Sequence, residues 1–259
     1  MSVALSLEGK VALVSGGSRG IGAAIVRMFV QAGARVFFSY ENAKEQAEKL
    51  SLDCGPENCA AAGLSLDSPA AAGELVAACM RKFGRLDIVI ANHGIWPPED
   101  MPIDRMPDQQ WSKTVAVNLD SVFGLVKHSV AEMKKTAVKG SPAHVVLISS
   151  TAGQRGEAFH CDYAATKGAL ISMVKGLAAE LARDHIYVNC VAPGWVDTDM
   201  ARPAMDDPPT AKRVLATIPL GRIGAPNEIA GPVLFLCTPL AGFVTGEIFN
   251  VNGGAVLIG

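Results

Sequence analysis

Short apolar runs rich in β-branched and aromatic residues alternate with longer amphipathic or alanine-rich stretches along the whole chain. The longer stretches, such as IGAAIVRMFVQAG and SPAAAGELVAACMRKFG, are long enough for helices that cross over between parallel strands. Strands that are apolar throughout and separated by such helices are typical of a parallel sheet covered on both faces. Seven strands are predicted: VALVSG from Val11, RVFFSY from Arg35, CAAAGLSL from Cys59, LDIVIAN from Leu86, HVVLISS from His144, IYVNCVA from Ile186 and EIFNVNGG from Glu247.

This order of elements predicts an α/β fold, a doubly wound parallel sheet of Rossmann type with about seven strands and helices on both faces. No internal repeat or linker divides the chain, so residues 1–259 are predicted to form a single domain. Two proline-rich segments, IWPPEDMPIDRMP from Ile95 and RPAMDDPPT from Arg202, each follow a predicted strand. We interpret them as substrate loops near 95–107 and 195–215, because doubly wound sheets bind ligands at that edge.

Composition and charge narrow the class of protein. Apolar residues make up 49% of the 259, which is enough for a sizeable core and excludes a disordered chain. The net charge is −2, with no run of five or more like charges, which argues against a nucleic-acid or membrane partner. The amino terminus lacks the basic region of a signal peptide. The six cysteines form no CxxC pair and no metal-ligand cluster, so we expect free thiols, no metal and a cytoplasmic protein.

A glycine-rich segment, SGGSRGIG, lies between the first predicted strand and a helix that is predicted to begin near Ile21. Glycine permits a tight turn and lets a pyrophosphate approach the backbone without interference from Cβ atoms. The free amides at the start of the following helix face such an anion. The segment therefore predicts a nucleotide-binding loop formed by Gly16, Ser18, Arg19, Gly20, Ile21 and Gly22.

A Tyr-x-x-x-Lys spacing occurs twice, at Tyr163 with Lys167 and at Tyr40 with Lys44. Tyr163 near the start of a long helical stretch has Lys167 one turn further on the same face. Ser150 stands thirteen residues earlier, at the end of a predicted strand and before a predicted turn, TAG. A nearby ammonium lowers a tyrosine pKa toward the working pH, as a general acid or base requires. Tyr40 ends a strand and has no such serine, so we favour Tyr163.

The G-x-x-x-G-x-G spacing together with these residues resembles the short-chain dehydrogenase/reductase family over nearly the whole chain. The resemblance implies an Asn-Ser-Tyr-Lys tetrad that Asn118 completes. Tyr163 would donate a proton to a carbonyl oxygen, and Ser150 would hydrogen-bond the same oxygen. Lys167 would hold the nicotinamide ribose hydroxyls and lower the pKa of Tyr163, while Asn118 would anchor a water that links Lys167 to solvent.

The resemblance also implies the rest of a dinucleotide-binding site. LDIVIANHG is similar to a family segment that ends in Asn-Asn-Ala-Gly, and it departs from that segment at Ala91 and His93. Asp67 matches an aspartate that receives the adenine amino group, and the segment VAPGWVDTDM matches a loop that binds the nicotinamide carboxamide. The implied cofactor-binding residues beyond the glycine-rich loop are Tyr40, Asp67, Asn92, Gly94, Tyr163, Lys167, Pro193, Gly194, Val196 and Thr198.

The end of the second predicted strand bears on the choice of nicotinamide cofactor. Members of the family that use NAD have an aspartate there, which accepts both ribose hydroxyls and repels a 2′-phosphate. Tyr40 occupies that position, and Arg19 stands where NADP-dependent members often hold a cation, so we expect NADP(H). NAD(H) remains the alternative, because a register slip of one residue would place Glu41 at the ribose.

The substrate is not named by the sequence. His160 is either a substrate contact or a packing residue. Trp96 and Trp195 either stack on the substrate or pack together. The overall pattern resembles 3-oxoacyl carrier-protein reductases, although Ala179 replaces a basic residue that usually meets the acidic carrier. Basic residues near Lys134, on a neighbouring predicted helix, keep that reading open. The predicted pocket residues are His93, Ile95, Trp96, Gln154, Phe159, His160, Trp195, Met200 and Met205.

The sequence therefore predicts an oxidoreductase that moves a hydride between NADP(H) and a carbonyl or secondary alcohol. The alternatives are a 3-oxoacyl-[acyl-carrier-protein] reductase of fatty-acid synthesis and, from another class, a nucleotide sensor without catalytic activity. The resemblance and the apolar run GPVLFLCTPLAGFV also imply a homo-oligomer, a tetramer or dimer.

Overall fold

The computed structural model describes residues 5–257, which fold around a parallel sheet. Its seven strands are β1 (Val11–Val14), β2 (Arg35–Tyr40), β3 (Cys59–Gly63), β4 (Ile88–Ala91), β5 (Ala143–Ile148), β6 (Ile186–Pro193) and β7 (Ile248–Val251). The order across the sheet is β3-β2-β1-β4-β5-β6-β7, and every neighbouring pair is parallel. The predicted fold class and all seven predicted strands are confirmed.

Helices cover both faces of the sheet. The α-helices are α1 (Gly20–Gln31), α2 (Lys44–Asp53), α3 (Pro69–Phe83), α4 (Asp108–Val115), α5 (Ser121–Met133), α6 (Thr151–Arg155), α7 (Cys161–Leu181), α8 (Arg202–Met205), α9 (Pro208–Ala216) and α10 (Pro226–Leu236). A π turn at Ala116–Asp120 joins α4 to α5. Short 3-10 segments lie at Ile103–Arg105, Ala182–Asp184 and Pro239–Ala241. None of the helices within residues 5–257 is long and apolar enough to cross a bilayer.

Two apolar cores lie on opposite faces of the sheet because successive strand residues point in opposite directions. On β1, Ala12 and Val14 pack with α1, α2 and α10, whereas Val11 and Leu13 pack with α3, α5 and α7. All four side chains are fully buried. This arrangement explains why the strand is apolar at every position, and it holds the carboxyl ends of the strands in fixed positions.

The predicted turn after β5 is the short helix α6. Ser150 caps it, since its hydroxyl oxygen accepts a hydrogen bond from the backbone N–H of Ala152 at 3.1 Å. The chain therefore leaves the sheet with Ser150 in extended conformation at the strand end.

The second predicted substrate loop, near 195–215, contains α8 and α9. Pro203 and Pro208 lie in the first turns of these helices, where the missing N–H of proline has no intrahelical partner to lose. Asp207 caps α9 by accepting a hydrogen bond from the backbone N–H of Thr210 at 3.1 Å. The prolines thus start helices here, so part of the predicted substrate loop is helical.

Candidate active site

One large cavity opens at the carboxyl ends of β1, β4, β5 and β6, on both sides of the point where the strand order reverses. Its volume is about 960 Å³. Every residue predicted to bind the cofactor lines this cavity, and so does Ser150. Asn118, the fourth member of the predicted tetrad, is buried behind its wall.

The glycine-rich loop forms a close cradle at the start of α1. Gly16 has φ +65°, a conformation that favours glycine, and its N–H donates to the hydroxyl of Ser39 at 3.0 Å. A Cβ atom on Gly22 would collide with the carbonyl oxygen of Gly16. The side-chain amide of Asn92 donates to the carbonyl oxygens of Ser15 and Gly16, at 3.1 and 3.0 Å. These contacts leave backbone amides and the start of a twelve-residue helix facing the cavity, which fits a dinucleotide pyrophosphate.

Arg19 and Asp199 form an ion pair across the cavity. Arg19 Nη1 lies 3.5 Å from an Asp199 oxygen, and Arg202 Nη2 lies 3.0 Å from the other oxygen. The Arg19 side chain is 66% exposed, so it is accessible to a ligand. Tyr40 ends β2 in the cavity wall, and Glu41 accepts a hydrogen bond from the hydroxyl of Ser65 at 3.0 Å. The Glu41 carboxylate therefore has a protein partner of its own.

Ser150, Tyr163 and Lys167 come together at the end of β5. Tyr163 lies in the first turn of α7 and hydrogen-bonds Ser150. The Lys167 ammonium donates to the carbonyl oxygen of Ile148 at 2.8 Å and lies 5.7 Å from the centroid of the Tyr163 ring. Ser149 donates to the carbonyl oxygen of Lys167 at 2.8 Å, which fastens α7 to the strand end. By contrast, Tyr40 ends β2 while Lys44 begins α2, so that pair shares no helix.

The predicted lowering of the Tyr163 pKa is wrong for this arrangement. Burial is the main cause that raises the pKa of Tyr163 to about 12. The hydrogen bond with Ser150 lowers this pKa, and the negative charge of Glu157 raises it. Burial also lowers the pKa of Lys167 to about 8. Tyr163 is consequently protonated at neutral pH, which is the form that a proton donor to a carbonyl needs.

Asn118 lies in the π turn, and its amide makes backbone contacts instead of facing the cavity. Its Oδ1 accepts from the N–H of Ile95 at 2.8 Å, and its Nδ2 donates to the carbonyl oxygen of Ile95 at 2.9 Å. Nδ2 also lies 3.3 Å from the hydroxyl of Thr166. The Asn118 side chain therefore joins the chain segment after β4 to α7, and its role of anchoring a water stays a prediction.

His93 is enclosed between two hydroxyls. Its Nδ1 lies 2.6 Å from Ser15 Oγ, and its Nε2 lies 2.6 Å from Ser121 Oγ. Ser121 donates its own proton to the carbonyl oxygen of Val117 at 2.7 Å, so the partners assign the proton to Nε2. Burial and the charge of Lys167 lower the pKa of His93 to about 3. His93 therefore joins the residue after β1 to the start of α5 as a neutral side chain, and both of its ring nitrogens contact protein hydroxyls.

The predicted substrate wall is confirmed only in part. His160 is buried and stacks on Trp96 with centroids 4.7 Å apart, so it packs behind the wall. Sequence reasoning missed Arg155 and Glu157, which both line the cavity; the charge of Glu157 acts on Tyr163. The available sequence signal was that both residues shortly precede α7, the helix that contains Tyr163. Of the nine predicted residues, those that line the cavity are His93, Ile95, Trp96, Trp195 and Met200, and those that do not are Gln154, Phe159, His160 and Met205.

Comparison with known proteins places the whole chain in one group. The family model described as enoyl-(acyl carrier protein) reductase matches residues 16–256. The 3-oxoacyl-[acyl-carrier-protein] reductase FabG of Salmonella typhimurium is 38% identical over 254 residues, covering 98% of this chain and 100% of the relative. The Pseudomonas aeruginosa RhlG/NADP active-site complex superposes with a TM-score of 0.90 at 35% identity, covering 99% of this chain and 100% of that one. The 3-ketoacyl-(acyl-carrier-protein) reductase from Brucella melitensis, complexed with NADH, has a TM-score of 0.89 at 29% identity, covering 97% and 100%.

The lowered pKa of His93 predicts a pH dependence of stability. Between about pH 6.5 and pH 3 an unfolded histidine binds a proton that folded His93 does not, so the unfolding free energy falls as the pH falls. His93→Gln removes this difference, and the slope of unfolding free energy against pH should become shallower by the equivalent of up to one proton. Urea unfolding of both proteins at a series of pH values measures the slopes. Equal slopes would show that His93 is protonated in the folded protein.

Proposed function

The chain belongs to the short-chain dehydrogenase/reductase family, and on that premise we propose that it transfers a hydride from NADPH to a carbonyl substrate with Tyr163 as the proton donor. The observation that carries the proposal is the placement of Ser150, Tyr163 and Lys167 in one cavity with the glycine-rich loop. A pyrophosphate site and a proton donor at opposite ends of one cavity suit a dinucleotide whose nicotinamide reaches the substrate.

When bound, a nicotinamide cofactor supplies the hydride, and side chains of this protein donate or accept the proton. Tyr163 Oη gives its proton to the carbonyl oxygen as that oxygen gains negative charge. The Ser150 hydroxyl donates a second hydrogen bond to the same oxygen. The Lys167 ammonium, which donates to the carbonyl oxygen of Ile148, would hold the ribose hydroxyls of the bound cofactor. In the oxidative direction the same groups act in reverse.

A 3-oxoacyl thioester is the second candidate substrate, because several relatives are named 3-oxoacyl-[acyl-carrier-protein] reductases. Two of the basic residues that kept this reading open lie just after the end of α5 and form ion pairs within the chain. Lys134 lies 2.7 Å from Asp184, and Lys135 lies 2.8 Å from Glu132. These pairs leave less positive charge for an acidic carrier. The nucleotide-sensor alternative is disfavoured because a sensor has no need of the proton-donating group.

The preference for NADP(H) rests on Arg19 and Tyr40. Arg19 is exposed at the start of α1. The residue at the end of β2 is the uncharged Tyr40 and not an aspartate or glutamate. Glu41 is the competing carboxylate next to Tyr40, and it already accepts a hydrogen bond from Ser65. Arg19 can exchange its exposed contact with Asp199 for the 2′-phosphate at small cost.

We also propose that the protein is a homo-oligomer. The apolar run near the carboxyl terminus divides in the structure: α10 is packed against α1 within the core, whereas Leu240 and Phe243 remain exposed. Phe243 is completely exposed, and such a side chain is covered when subunits associate.

Tyr163→Phe should reduce kcat by about 10² to 10⁴, because only the transferable proton is removed. The dissociation constant for NADPH, measured by fluorescence titration, should change little. Lys167→Met should differ by also weakening cofactor binding. Retention of more than about a tenth of the wild-type rate by Tyr163→Phe would exclude Tyr163 as the acid.

Arg19→Ala should raise the KM for NADPH at least tenfold, about 1.4 kcal/mol, with little change for NADH. Steady-state kinetics with each cofactor provide the measurement. Arg27→Ala is the matched control, since Arg27 is an exposed arginine of α1 paired with Asp53 and lies outside the cavity. A wild-type preference for NADH, or an equal loss for both cofactors, would contradict the assignment.

Light scattering at micromolar concentration should give a particle at least twice the 27.0 kDa of one chain. Phe243→Glu should shift the distribution toward the monomer, because it places a charge on the exposed apolar end. A 27.0 kDa particle from the wild-type protein would refute the oligomer.

A further inference from the structure

A carboxylate shares the cavity with the proton donor. Glu157 lies in the connection between α6 and α7, six residues before Tyr163, and it is half-buried in the cavity wall. Its charge acts on the Tyr163 hydroxyl. Neither the proposed proton transfer nor the proposed cofactor site uses this carboxylate. It is therefore available to the substrate.

Two indoles frame the same part of the wall. The rings of Trp96 and Trp195 meet edge to face, with centroids 6.0 Å apart and planes at 81°. His160, which is 3% exposed, stacks on the other side of Trp96 and limits its movement. Trp96 lies near enough to Glu157 to lower the pKa of its carboxyl group. This part of the cavity wall therefore consists of aromatic ring faces around the Glu157 carboxylate.

The charges that face Glu157 restrict the ligand. Burial raises the pKa of Glu157 above its usual value and Asp100 raises it further, although His160, Trp96 and Arg155 each lower it. A carboxylate accepts hydrogen bonds and repels anions. A ligand ammonium would meet the positive charge of Arg155, whereas a hydroxyl can donate to Glu157 and accept from Arg155. A neutral group that both donates and accepts fits this wall best.

We propose that Glu157 is a specificity-determining residue that selects carbonyl substrates carrying a hydroxyl group next to the carbonyl carbon. This inference rests on the proposed function, because it takes the carbonyl to lie at Tyr163. Trp96 and Trp195 would cover the C–H faces of such a substrate, while Glu157 accepts from its hydroxyl. The same carboxylate disfavours substrates with an acidic group at this position.

Matched small carbonyls test the proposal. Hydroxyacetone and butanone differ by one hydroxyl in place of a methyl group; aminoacetone and acetoacetate supply an ammonium and a carboxylate. The measurement is kcat/KM for each with NADPH, in the wild type and three variants. Comparing the hydroxyacetone-to-butanone ratio between proteins cancels the different intrinsic reactivities of the two ketones.

Glu157→Met, which keeps the length of the side chain and removes the acceptor, should lower that ratio at least tenfold. Glu157→Gln retains a carbonyl acceptor and should keep most of the wild-type ratio. Glu99→Met, a change at an exposed carboxylate outside the cavity wall, should leave the ratio unchanged. The rate of Glu157→Met with butanone shows whether that variant is folded.

An unchanged ratio in Glu157→Met would overturn the proposal. So would a wild-type protein that prefers aminoacetone or acetoacetate to hydroxyacetone, a ranking that does not depend on any variant. Either result, with butanone still reduced, leaves the proposed function standing. Failure of the wild-type protein to reduce any carbonyl would instead count against the proposed function itself.

Discussion

The Lys167 ammonium is held inside the protein by a carbonyl oxygen at the end of β5, and the active-site geometry depends on that contact. Lys167 is 4% exposed, and burying a charged group without a hydrogen-bond partner would cost much free energy. The 2.8 Å bond to Ile148 supplies one, while Ser149 binds the backbone of Lys167 itself. Two adjacent strand residues therefore fix one point of α7. Because Tyr163 precedes Lys167 by one helical turn, its position follows from the same contacts.

Much of the fold could be predicted because its signals are local. The strands are apolar at every position, as on β1, and the glycine-rich loop combines a turn with a helix start within eight residues. Ser150, Tyr163 and Lys167 were found because strand end and helix start place them at fixed offsets. The helices α8 and α9 were missed because a proline that starts a helix looks, in sequence, like a proline in a loop.

The parts that could not be predicted depend on partners far apart in the chain. His93 contacts Ser15 and Ser121, which are 78 and 28 residues away. The raised pKa of Tyr163 depends on burial, a property of the packed site. Glu157 lies close to Tyr163 in sequence, but only the closing of its loop beside Trp96 brings it to the cavity. Local pattern thus identifies the candidate catalytic residues, whereas the electrostatics around them require the fold.

The π turn at Ala116–Asp120 has a consequence for the length of the helix in which it lies. Such a turn contains one residue more than a regular helical turn. Removing one residue there would restore an unbroken α-helix with α4 and α5 in nearly the same relative rotation, so the change would fall on the residues of the turn itself. Asn118 and Ser121 could then no longer meet Ile95 and His93 together. The extra residue between α4 and α5 therefore serves these two contacts, and the length of this segment matters to the site as much as the identity of its side chains.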